Sequence, residues 1–185
     1  MRIGLYFGSF NPIHNGHLAV AQYMLNSGIF DKIRFVVSPQ NPFKKQDSLF
    51  DENLRLQWVK LAISDNAGFE CSDAEFQLSK PSYTIHTVNH FIQQEAEHTF
   101  SIIIGSDNIH NIASWHNIEE LCNKVDFHVY NRPGTTAEKL PDFGTFHWHN
   151  APLMDISATY IRELLHNNKS IQYLVPDAVR LALQP

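Results

Sequence analysis

The 185-residue sequence predicts an α/β fold, a doubly wound and mostly parallel sheet with helices on both faces. Three observations carry this. The apolar run RIGLYF at 2–7 is followed by a helical stretch and then by a second apolar run, KIRFVVS at 32–38, so strand, helix and strand follow one another within the first forty residues. The alternation returns around TFSIIIG at 99–105 and VDFHVY at 125–130. Two of the apolar runs also end in a glycine that opens a polar turn, Gly8-Ser9-Phe10-Asn11 and Gly105-Ser106-Asp107-Asn108. Parallel neighbours need a long, right-handed crossover, which the intervening helix supplies.

Residues 2–7 read as a buried strand because they are apolar and aromatic and stop at Gly8. Residues 16–27 (GHLAVAQYMLNS) read as a helix. Leu18, Ala21 and Leu25 fall on one stripe, Val20 and Met24 widen it, and Gly28 is a C-terminal stop. The segment 39–50, PQNPFKKQDSLF, is irregular and reads as a loop. Residues 51–64 are amphipathic, with Leu54, Trp58 and Leu61 on the face expected inward. Residues 69–78 predict a strand interrupted near Asp73, and 82–98 a helix with Ile85, Val88 and Ile92 inward and Ser82 or Thr84 as cap. TFSIIIG is the clearest buried strand, and VDFHVY is closed by Asn131-Arg132-Pro133-Gly134, a turn signal. TFHWH at 145–149 follows, then helices from Ser157 to His166 and from Pro176. With no repeat and no long linker, this length reads as one Rossmann-like domain, 1–185.

Composition narrows the function. Lys+Arg 14 against Asp+Glu 19 leave a formal net charge of −5, which argues against a nucleic-acid binder. Cys71 and Cys122 lack CxxC spacing and read as reduced and structural. No leader pattern opens the chain, and no apolar run approaches the roughly 20 residues of a membrane span, so the expected address is the cytoplasm, without a membrane partner. His86 and His90 stand four apart, a spacing compatible with zinc, but no third ligand is evident and no metal site follows.

In such sheets a ligand collects beyond the C-terminal strand ends, where the strand order reverses. The strand at 2–7 is expected beside 99–104, which brings the turns at Gly8 and Gly105 face to face. Asp107 there offers a carboxylate to a hydroxyl pair. GxGxxG and GxxxxGK are both absent, which removes the main support for dinucleotide oxidoreductase and P-loop NTPase readings. His14-Asn15-Gly16-His17 offers another way to hold phosphate. His17 falls in the first turn of a helix, where open N–H groups and the dipole attract anions, and both imidazoles can donate to phosphoryl oxygens. A bound triphosphate would favour their charged forms. Late in the chain comes Ile156-Ser157-Ala158-Thr159-Tyr160-Ile161-Arg162. Ser157 as N-cap would leave the N–H groups of 158–160 for an anion, and Arg162 can fork onto phosphate. The bare HxGH tetrapeptide reads equally as a turn with two incidental histidines, but its place between strand and helix favours the phosphate reading; the late segment alone reads as a capped helix with a solvated arginine, and together the two read as halves of a phosphate clamp.

In this order and at these ends of the chain, the two motifs resemble the HxGH nucleotidyltransferase superfamily, whose members join a nucleoside monophosphate to a phosphate acceptor and release pyrophosphate. SPQNPFKK, Pro81-Ser82-Tyr83-Thr84, IGSDN with Trp115 after it, and Asn131-Arg132-Pro133-Gly134 bring the likeness nearest to the bacterial nicotinate-nucleotide adenylyltransferases, over nearly the whole chain. The resemblance implies transfer of AMP from ATP to nicotinate mononucleotide, giving nicotinate adenine dinucleotide and pyrophosphate in NAD biosynthesis, by in-line attack without a covalent intermediate. It implies catalytic roles for His14, His17 and Arg162. ATP would also meet Gly8, Ser9, Phe10, Gly105 and Asp107 on one side, and Ile156, Ser157 and Thr159 on the other. Nicotinate mononucleotide would meet Asn11, Lys44, Lys45, Tyr83 and Arg132, with Thr84 at the pyridine carboxylate and Trp115 against the ring. Taken alone, Trp115 reads equally as a core residue. Mg²⁺ would be held mainly through the ATP phosphates and water. Three positions depart from the family's usual pattern: Asn11 for a frequent Asp, Phe43-Lys44-Lys45 for Pro-His-Lys, and Ala158 for a frequent Ser. The rival readings are a nicotinamide mononucleotide or phosphopantetheine acceptor, or a non-catalytic nucleotide-binding sensor. The oligomeric state stays open, a homo-oligomer included.

Overall fold

The structure is a computed structural model and describes residues 1–39, 49–79, 81–134 and 140–183. Strands β1 (Arg2–Gly8), β2 (Lys32–Val37), β3 (Phe69–Ser72), β4 (Thr99–Gly105), β5 (Asp126–Tyr130) and β6 (Phe146–His149) form one sheet in the order β3-β2-β1-β4-β5-β6. Every pairing in it is parallel. The order runs outward in both directions from β1 and β4, with Leu5 opposite Ile102 and Tyr6 opposite Ile103, so the switch point falls where the sequence places it.

The helices among the described residues are α1 (Asn15–Asn26), α2 (Glu52–Ile63), α3 (Ala74–Gln77), α4 (Thr84–Gln94), α5 (Ile118–Cys122), α6 (Ala158–His166) and α7 (Asp177–Leu183), with a 3₁₀ segment over Ser106–Ser114. Side chains of a strand alternate between faces. Ile3 and Leu5 therefore pack with Val88, Phe91 and Leu121 on one side of the sheet, while Tyr6 packs with Met24, Val59, Ile161 and Val179 on the other. Because both faces are covered, β1 and β4 read as near-continuous apolar runs, whereas β2 carries the buried Arg34, paired with Glu70 and Glu95. Gly28 ends α1 with φ +73°, a left-handed conformation that suits glycine, as its position predicts.

Four local expectations are corrected. The inward face of α2 is Arg55, Leu56, Trp58, Val59, Ala62 and Ile63; Leu54 is 44% exposed and Leu61 only partly buried. The face is displaced because Arg55, which periodicity reads as surface, is itself buried. The strand expected over 69–78 stops at Ser72, where Ser72 Oγ accepts from the Ala74 N–H and the chain turns into α3. Such local bonds compete with a sheet ladder. Helix α4 runs only from Thr84 to Gln94 with Tyr83 at its N-cap, and neither Ser82 nor Thr84 caps it by a side-chain bond. Phe91 completes its buried stripe, with Ile92 at the margin. The 3₁₀ segment and α5 have no counterpart in the sequence expectations.

Candidate active site

Beyond Gly8 the chain turns through Phe10 at φ +45°, which drops the Phe10 ring into the core. There it meets Tyr6, His17 and Phe35 at centroid distances of 5.9, 5.2 and 5.6 Å. The ring is thus committed to packing, and any contact Phe10 makes with a nucleotide falls to its backbone. His14 is the N-cap residue of α1 and only 3% exposed. Its ring stacks on His17 at 3.7 Å and 27°, and its N–H donates to His17 Nδ1 at 3.3 Å. Gly16 permits this: a Cβ there would come within 3.0 Å of His14 Nδ1. Nδ1 of His14 has no hydrogen-bond partner among the described residues. Burial first, and the nearby Arg132 guanidinium second, lower the His14 pKa from 6.5 to about 4. His14 is therefore neutral at pH 7 as the site stands, and a bound anion would act in the opposite direction.

The late helix reaches this loop. Arg162 donates from Nη1 to the Asn11 carbonyl at 2.8 Å and from Nη2 to Thr159 Oγ1 at 3.2 Å. The two motifs, separated by most of the chain, are in direct contact. Ser157 Oγ accepts from the Tyr160 N–H at 3.1 Å, as a cap should. This corrects one expectation: of the amides at 158–160, that of Tyr160 is taken by the cap. Asn11 Oδ1 accepts from the Phe50 N–H at 2.9 Å, so its side chain braces the last residue of segment 39–50. Ser9 is buried beside it, its hydroxyl without a partner among the described residues.

A narrow cleft is formed by His14, Gly16, His17, Arg132 and Ile156. Arg132 reaches it from the turn after β5. Its N–H donates to Ser106 Oγ at 2.9 Å, and its Nε lies 3.8 Å from Asp107 Oδ1. The Asp107 carboxylate is thereby paired with a guanidinium. Tyr6 and Tyr130 join hydroxyls at 3.0 Å on the wall of this cleft, and burial raises the pKa of both.

The same two tyrosines also line a second cavity of about 440 Å³, within the size range of small-molecule sites. Gly8 and Gly105 stand on its wall together with Tyr83, Thr84 and Trp115, three residues gathered from two further segments. Trp115 is partly buried: it packs against the core cluster beneath and also lines the cavity. Tyr83 stacks on His116 at 4.3 Å. Lys44 and Lys45 lie outside the described residues. Sequence reasoning missed Tyr6, Tyr130, Ser38, Glu75, Ser82 and His116 on these walls. A tyrosine inside an apolar strand reads as core, and Glu75 fell in a stretch read as strand.

A wider groove of about 960 Å³ along β5 and β6, past Asp126, His128, His147 and His149, holds none of the expected site residues. Among the described residues no three His, Cys, Asp or Glu side chains are arranged to hold a metal, and no helix is long and apolar enough to cross a membrane.

Residues 5–164 match the cytidylyltransferase-like family. The chain is 45% identical over 179 residues to the protein named probable nicotinate-nucleotide adenylyltransferase of Cytophaga hutchinsonii, covering 97% of this chain and 93% of that one. It is 43% identical to the one so named in Bacteroides fragilis, covering 96% and 89%. Among solved structures, the Plasmodium falciparum nicotinic acid mononucleotide adenylyltransferase complexed with NaAD superposes with a TM-score of 0.79 at 20% identity, over 98% of this chain and 94% of that one. At that identity the likeness carries the fold.

Proposed function

This chain belongs to the cytidylyltransferase-like family and, within it, to the nicotinate-nucleotide adenylyltransferases, and from that premise we propose that it transfers AMP from ATP to nicotinate mononucleotide, releasing pyrophosphate. The observation that supports the reading best is the contact of Arg162 with the loop that carries His14 and His17, beside two cavities that meet at the Tyr6–Tyr130 pair. The narrow cleft, with Arg132 on its wall and Arg162 anchoring the loop beside it, offers donors to a phosphate group, and a roomy aromatic cavity suits a flat ring.

The chemistry needs no general base, because the attacking phosphate is already anionic at neutral pH. Its oxygen forms a bond to the α-phosphorus of ATP, and the bond to the bridging oxygen breaks with the electron pair leaving on pyrophosphate. The protein contributes position and charge. His17 donates to the α-phosphoryl oxygens from the first turn of α1, and His14 stands beside the polyphosphate. Arg162 and the amides at Ala158 and Thr159 hold the β- and γ-phosphates. Thr84 meets the pyridine carboxylate, Trp115 covers the ring, and Arg132 adds positive charge at the junction. Gly8 and Gly105 admit the adenosine side. The donor set of the cleft, imidazole, guanidinium and amide N–H, suits phosphate rather than a bare cation, which fits Mg²⁺ arriving on ATP and supplying charge neutralisation there. The enzyme works in the cytoplasm on this reading.

The test is pyrophosphate release from Mg-ATP with nicotinate mononucleotide, nicotinamide mononucleotide or phosphopantetheine. Turnover is expected fastest with the nicotinate compound, and His17→Ala should lower kcat/KM by roughly 10²–10³-fold, the size of one lost oxyanion donor. No release with any acceptor, from folded protein that binds ATP, would mark a nucleotide sensor instead.

A further inference from the structure

Glu75 takes no part in the transfer chemistry, yet it stands in the wall of the 440 Å³ cavity and is only 2% exposed. Its two oxygens differ. Thr87 Oγ1 donates to Oε1 at 3.0 Å, whereas Oε2 is buried without a hydrogen-bond partner among the described residues. The groups that face it are hydroxyls: Ser38 from the end of β2, Ser82 from the loop before α4, and Thr87 from α4. No described cation pairs with it. Tyr6, Tyr83, Tyr130 and His116 are the other titratable groups on this wall.

An ionised carboxylate accepts at both oxygens and, when buried, calls for donors or a cation at both. A neutral carboxyl needs a donor only at its carbonyl oxygen and carries a hydrogen on the other. Oε1 satisfied and Oε2 open is the second pattern. The direction of titration agrees: burial raises the Glu75 pKa, and the three hydroxyls offset this only in part.

We propose that Glu75 is a specificity-determining residue, a neutral carboxyl whose Oε2–H donates to the carboxylate on the pyridine ring of the mononucleotide and so favours the acid over the amide. The inference rests on the proposed reaction. A charge-assisted O–H···O⁻ bond is stronger than the bond the same donor makes to a neutral amide oxygen. Once Glu75 ionises, it repels the ring carboxylate and accepts from a carboxamide N–H instead. The preference for acid over amide therefore falls as pH rises. Protonation of His116 would favour an acidic ring in the same direction, so the two must be separated.

The experiment is the ratio of kcat/KM for nicotinate over nicotinamide mononucleotide between about pH 5.5 and about 9, the span over which a buried glutamate can titrate. Wild type, Glu75→Gln, His116→Asn and the double variant are compared, with Kd for both mononucleotides by calorimetry. In wild type and His116→Asn the ratio should fall by roughly tenfold or more, the worth of one such hydrogen bond. Glu75→Gln stays neutral and keeps a donor, so in the Glu75→Gln/His116→Asn double variant the ratio should be flat with pH and still favour the acid. A wild-type ratio independent of pH, a flat ratio in His116→Asn, or a slope that survives in the double variant overturns the assignment. Turnover of neither mononucleotide would fail the reaction itself; the wild-type Kd ratio then still decides on Glu75, and binding of neither compound rejects both.

Discussion

Histidines stack in two places in this molecule, and the contrast shows what marks a site. His14 lies on His17 at 3.7 Å at the start of α1, and His128 lies between His147 and His149 on β5 and β6, at 4.8 and 5.0 Å. Burial lowers the pKa of His14 and of His128 alike, from 6.5 to about 4. By titration alone His14 and His128 are equivalent. Their hydrogen bonds separate them. In the second stack His128 Nδ1 is 2.8 Å from His149 Nε2, and His147 Nε2 is 3.1 Å from Asp126 Oδ2, so these rings satisfy one another and a neighbour. In the first, His14 Nδ1 is buried without a hydrogen-bond partner among the described residues, its residue lines a cleft with Arg132, and Arg162 anchors the loop that carries it. A perturbed imidazole becomes a functional candidate when an open nitrogen and converging cations accompany it.

The largest expected difference between the two regions is in rate. Arg162→Lys keeps the charge but loses the fork that spans Asn11 and Thr159, so kcat/KM should fall by about 10²-fold, in line with the loss of bidentate phosphate recognition. His149→Gln, in the self-satisfied stack, should stay within roughly threefold of wild type, as expected of a change outside the reacting site. Steady-state kinetics on both variants checks this, and equal losses would erase the distinction.

Acid is expected to treat His14 and His128 alike until a phosphate is added. A histidine held neutral by burial has a folded pKa below its unfolded value, so its contribution to stability is present above pH 6.5. It is lost as pH falls from 6.5 toward about 4. For His14 and His128 this is on the order of 3 kcal/mol each. Urea unfolding at successive pH values should show the decline, with a shallower slope in His128→Asn. Tripolyphosphate breaks the symmetry: titrated by NMR, the His14 pKa should rise on binding while that of His128 stays put. A shift at both, or at neither, would argue against His14 as the phosphate neighbour.

Legibility in the sequence followed the same divide between pattern and local satisfaction. β1, β4 and α1 were readable because covered parallel strands are continuously apolar and α1 repeats at helical spacing. The HxGH loop and the Ser157–Arg162 segment were readable because their chemistry is carried by near neighbours. Arg55 was not. It is 1% exposed and donates to the carbonyls of Ser9, Ser38, Phe50 and Pro39, joining the loops after β1 and β2 through contacts between distant residues. Its inward position also rotated the face of α2 away from Leu54. Glu75 was missed for a related reason: a carboxyl group is buried here among the hydroxyls of three separate segments, and no periodicity encodes that.

The smallest effect separates stability from function within the phosphate-binding half itself. Ser157 Oγ holds the Tyr160 N–H, so Ser157→Ala removes a helix cap and should cost about 1 kcal/mol in urea unfolding. The same change leaves every backbone donor of α6 in place and frees the amide of Tyr160. If phosphate is held by backbone N–H groups and Arg162, the KM for ATP should therefore stay within roughly twofold of wild type, an interval too small to reflect a lost hydrogen bond. A large rise in KM would instead mean that the Ser157 hydroxyl itself meets the phosphate, and the cap would have to give way when ATP binds.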